Sequence, residues 1–237
     1  MSAMWRDLTS GETGKWSVWK FNWLANHKII RALEQARVHA RGELLDMGCG
    51  RKPFARLFEG RITRYFGTDL SASPYLGHAR LDAFARAEAQ PFRDASFDTV
   101  MGLSMLTYLS EPVRMLHEAH RVLRPGGMLI LEFTQMVPLH DEPYDFFRFT
   151  RYGAEYLLKQ AGFEALEYIP IGGLWARVGL STIAGLNRIN KGPTRIVTEI
   201  PVRVLYVLVQ GVCELLDRIC FDPREVLSHL VVARRIP

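Results

Sequence analysis

The chain has 237 residues, of which 48% are apolar, enough to build one α/β domain with an accessory region and to exclude a largely disordered protein. Its formal net charge of +5 suits either solvated helix faces or attraction to an acidic substrate or membrane surface; with no lysine-rich tail and no RNA-binding module, nucleic acid is not favoured as a partner. Cys49, Cys213 and Cys220 have no metal-ligand spacing and form no disulfide framework, so a reducing, cytoplasmic compartment and no metal are expected.

Residues 1 to 15 read as irregular, and Arg6 and Asp7 interrupt any apolar core of the kind a leader peptide needs. From Trp16 to about Ala40 a helical pattern sets in, carried by Trp16, Trp19, Trp23, Ile29, Ile30 and Leu33. A stripe at this spacing packs on a core. Its functional alternatives are a cap over a bound cofactor and contact with a membrane interface, both of which suit tryptophan.

The segment Gly42-Glu43-Leu44-Leu45-Asp46-Met47-Gly48-Cys49-Gly50-Arg51-Lys52-Pro53-Phe54 reads as a buried strand over 43–47, a tight glycine turn and a helix over 53–58. Glycines permit positive φ and leave no Cβ between backbone and ligand, and a helix start would aim its N–H groups at the same place. About twenty residues on, Tyr65-Phe66-Gly67-Thr68-Asp69-Leu70 is a second apolar run, a strand over 65–69, ending in a carboxylate. An acidic side chain at the end of the second strand suits the vicinal diol of a ribose.

The nucleoside is narrowed by what is missing. A dinucleotide fingerprint wants a further glycine where this chain has Phe54, and Asp46 would repel a pyrophosphate while welcoming an ammonium group. S-adenosylmethionine, with an amine, a carboxylate, a sulfonium and no phosphate, fits better.

Strands over 97–102 and 128–133 follow, with a helix over 112–123 between them; Pro112 sits in its first turn and Pro125-Gly126-Gly127 ends it. Strands alternating with helices imply a parallel sheet with ligands at the carboxyl ends of the strands. Gly48, Asp69, Asp82 and Leu103-Ser104 are expected at such ends.

Four passages resemble the motifs of class I S-adenosylmethionine-dependent methyltransferases, in that family's order. They are Leu44 to Gly50, Gly67-Thr68-Asp69, Gln90 to Val100 (the "LPF-x-D-x-SFD-x-V" passage) and Arg121 to Leu131 (the "R-V-L-K-P-G-G" turn). The resemblance spans about residues 42 to 133 and implies a Rossmann-like α/β sheet, mostly parallel with the last strand antiparallel. It implies S-adenosylmethionine held by Asp46, Gly48, Cys49, Gly50, Asp69, Leu70, Asp82, Ala83 and Leu103, with Asp82-Ala83 matching a pair that contacts the adenine edge. Two departures stand out: Lys52 replaces a third glycine, and Leu106-Thr107-Tyr108 replaces the family's Leu-Glu-His. No Asn-Pro-Pro-Tyr passage follows the fourth strand, which argues against methylation of DNA bases or glutamine and for an oxygen acceptor.

After the fifth strand comes His140-Asp141-Glu142-Pro143-Tyr144-Asp145-Phe146-Phe147-Arg148-Phe149-Thr150, with Thr150 as N-cap of a helix over 151–161 that Gly162 stops. Its Tyr-Asp-Phe-x-Arg-Phe-Thr core resembles a passage in methyltransferases associated with cell-surface polysaccharide or glycolipid assembly. In one reading His140 or Asp145 removes a proton from a substrate hydroxyl while the aromatic rings stack on a sugar or exclude water. In the other, Asp145 and Arg148 pair to fold the loop over the aromatics. His140, Asp145 and Arg148 are the candidate catalytic residues, and a metal held by His140, Asp141 and Glu142 is disfavoured because adjacent residues rarely aim at one ion.

A sixth strand over 165–171 leads into about fifty residues, too many for a plain hairpin, before a final strand near His229 to Ala233. Gly172-Gly173 and Gly192-Pro193 divide this insertion into two helices. The second, Val202 to Phe221, sets Val202, Leu205, Tyr206, Val209, Val212, Leu216 and Ile219 on one broad face, with charges that preclude a spanning helix. That face packs on the sheet, meets a second subunit or lines a lipid-linked substrate. The division is therefore 1–41 an N-terminal helical cap, 42–171 the cofactor-binding core, 172–225 a helical insertion and 226–237 the last strand. The expected function is O-methylation of a sugar, glycolipid or other small-molecule acceptor, with peripheral membrane contact and homo-oligomer formation as further options. The alternatives are a non-catalytic cofactor-binding or regulatory protein, and behind it an RNA methyltransferase or an NAD-dependent oxidoreductase.

Overall fold

A computed structural model describes residues 18–76, 81–190 and 195–237. Among them, strands β1 (Gly42–Met47), β2 (Ile62–Asp69), β3 (Ala83–Phe84), β4 (Phe97–Gly102), β5 (Leu123–Thr134), β6 (Phe163–Ile171) and β7 (Ser228–Arg235) form one sheet in the order β3-β2-β1-β4-β5-β7-β6. β1 pairs parallel with β2 and β4, β4 with β5, and β2 with β3, while β7 runs antiparallel between β5 and β6. The mostly parallel sheet with an antiparallel last strand is thus the one the sequence predicts.

Helices α1 (Trp23–Ala36), α2 (Pro112–Val122), α3 (Arg151–Gln160), α4 (Leu174–Ile189) and α5 (Arg195–Ile219) surround it. Side chains alternate across a strand, so each central strand feeds two cores. Leu45, Met47, Leu129, Leu131 and Val231 face one way and pack with Met115, Leu116, Ala119 and Leu158 of α2 and α3. Leu44, Met101, Ile130, Leu230 and Val232 face the other and pack with Ala32, Leu33 and Ala36 of α1. A smaller cluster joins Leu24 of α1, Ala176 of α4, Cys213 of α5 and Leu227, with Val137 packed against it.

Several boundaries move. The helix expected over 53–58 is only a 3-10 turn, Ala55–Phe58; Phe54 and Phe58 sink into the second core there instead of extending a helix. The α-helix start expected just after the glycine turn is therefore replaced by this short turn. α1 begins at Trp23, while Trp16 and residues 1–17 lie outside the described residues, so of the tryptophan stripe only Trp19 (half exposed) and Trp23 (stacked on His27, 4.9 Å between centroids) are seen. β5 starts at Leu123, and its register shifts around the Pro125-Gly126-Gly127 turn before pairing resumes at Met128. Thr150 caps α3 as its sequence implies, its hydroxyl accepting the Gly153 N–H at 3.1 Å.

α5 departs most. Of the broad face expected to be buried or partnered, Leu205, Val212 and Ile219 are exposed and only Tyr206 is buried. The buried side of the helix carries Gln210, Glu214 and Asp217 instead. Two of these polar groups, Gln210 and Asp217, cap other helices. Gln210 accepts the Leu24 N–H at the start of α1 (2.9 Å) and donates to the carbonyls of Val18 and Lys20. Asp217 accepts the Gly173 and Ala176 N–H groups at the start of α4, and Lys28 of α1 bridges Glu214 and Asp217 at 2.8 and 2.9 Å. Among the described residues no helix is long and apolar enough to cross a membrane.

Candidate active site

The carboxyl ends of β1, β2, β4 and β5 meet at one edge of the sheet, and the glycine turn lies at its centre. Gly48 and Gly50 have φ of 72° and 50°, a region that side chains with a Cβ avoid. A Cβ on Gly48 would meet Met105 Sδ at 2.1 Å. Lys52 adopts φ 55° as well, so the left-handed backbone survives where this chain lacks glycine. Its stem lies over Gly67, and its Nζ is 2.6 Å from Asp82.

The turn spends its own amides. Gly48 and Cys49 N–H both donate to the Thr68 carbonyl of β2, at 2.8 and 3.0 Å, and Gly50 N–H donates to Asp69 Oδ2 at 2.8 Å. A pyrophosphate would need these donors, so the turn suits a ligand without phosphate. Asp69 Oδ1 accepts the Leu70 N–H at 2.7 Å. A carboxylate offers about four lone-pair positions, so two remain, matching the two hydroxyls of a ribose.

Asp46, one residue inside the end of β1, is buried and accepts the Tyr65 hydroxyl. Burial pushes its carboxyl up to about 7, with the Tyr65 bond opposing and the nearby Asp69 charge reinforcing the rise. Burial and the Asp46 and Asp69 charges likewise push the Cys49 thiol well up, and its sulfur packs on Gly67. Cys49 therefore acts here as a small apolar side chain with a useful backbone. Leu70 is half exposed and Leu103 is partly buried at the far side of the turn.

Asp82 differs from its expected setting: it precedes β3 instead of ending a strand, level with Gly67, whose N–H it accepts at 2.8 Å. The Gly67 bond and Lys52 outweigh its partial burial and hold its carboxyl below the usual range. The same oxygen, Oδ2, takes both contacts. Ala83, its neighbour, pairs with Thr68 at the sheet edge.

Opposite the turn stands the loop after β5. His140 is buried; its Nδ1 lies 2.9 Å from the Pro138 carbonyl and its Nε2 2.6 Å from the Tyr108 hydroxyl. A carbonyl only accepts, so Nδ1 carries a proton, and Nε2 faces the Tyr108 hydroxyl. Asp145 accepts the His140 N–H at 2.9 Å and is clamped by both terminal nitrogens of Arg148. These bonds outweigh burial and keep Asp145 below the usual carboxylate range. Arg148 also donates to the carbonyls of Val137 and Pro138. Of the two readings of this pair, the geometry is that of the folded loop: the Asp145 side chain is 2% exposed, and Arg148 is engaged with it and with the loop carbonyls. Tyr144, Phe146 and Phe147 are exposed, and Phe149 is buried.

Four residues here carry no signal strong enough to select them from sequence. Tyr75, in the loop after β2, donates to Asp141, so a side-chain bond spans the ends of β1 and β4. Tyr108 stands where the histidine of a Leu-Glu-His would be, and its imidazole partner arrives from the β5 loop. Burial, Asp141 and Tyr75 push the Tyr108 hydroxyl well above its ordinary range. Glu132, near the end of β5, is buried and accepts the Ser104 hydroxyl at 2.6 Å; burial raises its pKa against the serine bonds and His140. A lone carboxylate inside Met128-Leu129-Ile130-Leu131-Glu132-Phe133 was the available clue. Lys52 is the fourth. Among the described residues no group of three His, Cys, Asp or Glu side chains is arranged to hold a metal ion.

Residues 45–131 match the model of a methyltransferase domain. The chain carries a class I S-adenosylmethionine-dependent methyltransferase domain. Similarity beyond the domain is partial. A methyltransferase of Mycolicibacterium vanbaalenii is 35% identical over 98 residues, covering 38% of this chain and 38% of that protein. The 27-O-demethylrifamycin SV methyltransferase of Amycolatopsis mediterranei is 33% identical over 113 residues, covering 43% and 42%. The chain thus spans about two fifths of the length of these curated relatives. Among solved structures, the [4+2]-cyclase SpnF superposes with a TM-score of 0.60 at 19% identity, over 98% of this chain and 92% of that one. That likeness concerns the fold alone.

The cofactor of the methyltransferase domain is S-adenosylmethionine, and the edge described above fits it. Asp69 keeps two acceptor positions for a diol, the turn demands no phosphate, and Asp46 offers a buried carboxyl near a place for an ammonium. Asp141 Oδ1 is moreover a buried acceptor without a hydrogen-bond partner among the described residues, which a ligand donor would satisfy.

Proposed function

We propose that this protein is an O-methyltransferase acting on a hydroxyl of a sugar, glycolipid or other small-molecule acceptor in the cytoplasm. The observation that carries the oxygen acceptor is the His140–Tyr108 pair: a buried imidazole whose Nδ1 is held by the Pro138 carbonyl and whose Nε2 lies 2.6 Å from a hydroxyl on the cofactor edge. Bound S-adenosylmethionine supplies a methyl group already activated by its sulfonium, so the chain's tasks are alignment, exclusion of water and removal of one proton. A neutral amine, which attacks through its free lone pair, has less need of a base so placed.

In this reading Asp69 takes the ribose hydroxyls, with Leu70 beside it, and Gly48, Cys49 and Gly50 give the close backbone. Asp46 faces the ammonium, and Asp82, Ala83 and Leu103 border the adenine. Residues 42–171 and 226–237 act as the cofactor-binding core, with 1–41 and 172–225 as cap and insertion. As the acceptor oxygen attacks, it passes its proton to the Tyr108 oxygen while Tyr108 passes its own to His140 Nε2. The raised pKa of Tyr108 suits a relay that does not itself ionise. Asp145 and Arg148 are positioning residues that fix the loop and hence the ring. The exposed Tyr144, Phe146 and Phe147 offer flat apolar faces on which a sugar ring stacks.

The test is calorimetry with S-adenosylmethionine, S-adenosylhomocysteine and NAD, followed by a turnover assay on a panel of hydroxyl and amine acceptors. Binding of the first two and methyl-ether formation are expected. Cofactor binding with methylation of amines alone would overturn the oxygen acceptor, and binding of NAD alone would overturn the whole reading.

A further inference from the structure

α5 turns much of its apolar surface outward. Its buried side holds Gln210, Glu214 and Asp217, engaged with α1 and α4, beside Tyr206 and Cys213, while its solvent side is largely aliphatic. Val204, Leu208, Val212, Leu215 and Ile219 recur at intervals of three and four residues and are 42%, 59%, 55%, 58% and 68% exposed. Leu205 lies beside them, and Ile200 extends the face at 75% exposure. At 1.5 Å per residue the stripe runs about 28 Å, and a contiguous row of exposed aliphatic groups of this kind marks an interaction surface.

The exposed charges beside the stripe are of one sign: from Ile200 to Ile219 no exposed residue of α5 is acidic, and the exposed charged ones are Arg203 and Arg218. Their carboxylate partners, Glu199 and Glu214, lie toward the inner side of the helix. In a second copy packed antiparallel about the exposed Gly211, Arg203 of one chain would come level with Arg218 of the other on the same side of the stripe. An apolar face edged by cations complements an anionic lipid surface instead, and with no membrane-crossing helix among the described residues it would lie in the plane of that surface.

The position of the helix gives the contact a use. Asp217 meets Gly173 at the carboxyl end of β6, the edge that also carries the site, and Gln135 of the loop after β5 donates to the Arg224 carbonyl just beyond α5. We infer that the outward face of α5 is a docking surface for an anionic membrane, which brings the active edge to the lipid. The inference does not rest on methyl transfer.

The test uses the full chain in flotation with vesicles of phosphatidylcholine, alone or mixed with phosphatidylglycerol, at low and high salt, alongside light scattering without vesicles. Binding to the anionic vesicles, weakened by salt, is expected. Leu208→Asp and Leu215→Asp should each reduce partitioning about tenfold or more, with thermal midpoint and S-adenosylmethionine binding unchanged because both side chains already face solvent. Arg203→Gln with Arg218→Gln should weaken binding to anionic vesicles only. No vesicle binding by the wild-type chain, or a dimer in solution that both aspartate variants dissociate, would overturn the inference. Membrane binding without turnover would leave it standing while the proposed activity fell.

Discussion

Asp69→Ala examines the cofactor site at its most constrained point. This carboxylate accepts the Gly50 N–H at 2.8 Å and the Leu70 N–H at 2.7 Å, and with the cofactor bound it would accept two ribose hydroxyls as well. Each charge-assisted hydrogen bond contributes about 1.5–3 kcal/mol, so losing the two to ribose weakens binding by about 3–6 kcal/mol, or roughly 10²–10⁴ in Kd. The protein-side bonds are lost too. Asp69 is 9% exposed, so an unpartnered Gly50 amide costs on the order of 1–3 kcal/mol of stability. Two measurements separate the effects: thermal unfolding without ligand, and calorimetry with S-adenosylhomocysteine on the folded variant. Asp69→Asn is the control, since its side-chain carbonyl still accepts one amide while the negative charge is gone. It should recover much of the stability and little of the affinity. A folded Asp69→Ala protein whose affinity stays within about twofold of wild type would refute the assignment of Asp69 to the ribose.

His140→Ala should lower turnover by roughly 10²–10⁴ with cofactor affinity nearly intact, and Tyr108→Phe should lower turnover in the same assay; full turnover in the phenylalanine variant would remove the relay and leave His140 acting directly. Asp46 has a folded-state pKa raised to about 7 by burial, so its contribution to stability is present at low pH and is lost as pH rises through about 7. The cationic cofactor favours the ionised form; its affinity should therefore rise through the same window with proton release, visible by calorimetry in buffers of different ionisation enthalpy and absent in Asp46→Asn. At Lys52 the left-handed backbone costs about 1–2 kcal/mol, against an ion pair with Asp82 worth about 0–1 kcal/mol and the greater unfolded-state freedom of glycine, about 0.5–1 kcal/mol. Lys52→Gly should thus unfold within about 1 kcal/mol of wild type, and Lys52→Val, a branched side chain at positive φ, well below it; a large loss in the glycine variant would show that the ammonium group matters more than the backbone.

The sequence alone determined the sheet and the cofactor edge, because those depend on local patterns. Apolar runs ending in Asp46 and Asp69, the glycines at 48 and 50, and the turn at Pro125-Gly126-Gly127 each fix a backbone conformation over a few residues. A strand of period two cannot shift register without exposing its core face. Thr150 and Gly162 likewise bound α3 through bonds with near neighbours. What the tertiary structure decided depends on residues far apart in the chain. Tyr108 and His140 come from loops after different strands, Tyr75 and Asp141 from loops on opposite sides of the turn, and none of these partners can be read from spacing. The expected helix at 53–58 failed because Phe54 and Phe58 gain more from the core than a short helix gains from its own hydrogen bonds. α5 shows the same division most clearly. Its periodicity announced an amphipathic helix, yet which side faces inward was set by distant demands: the open N–H groups of α1 and α4 and the ammonium of Lys28 required Gln210, Glu214 and Asp217, and the apolar side was left facing out.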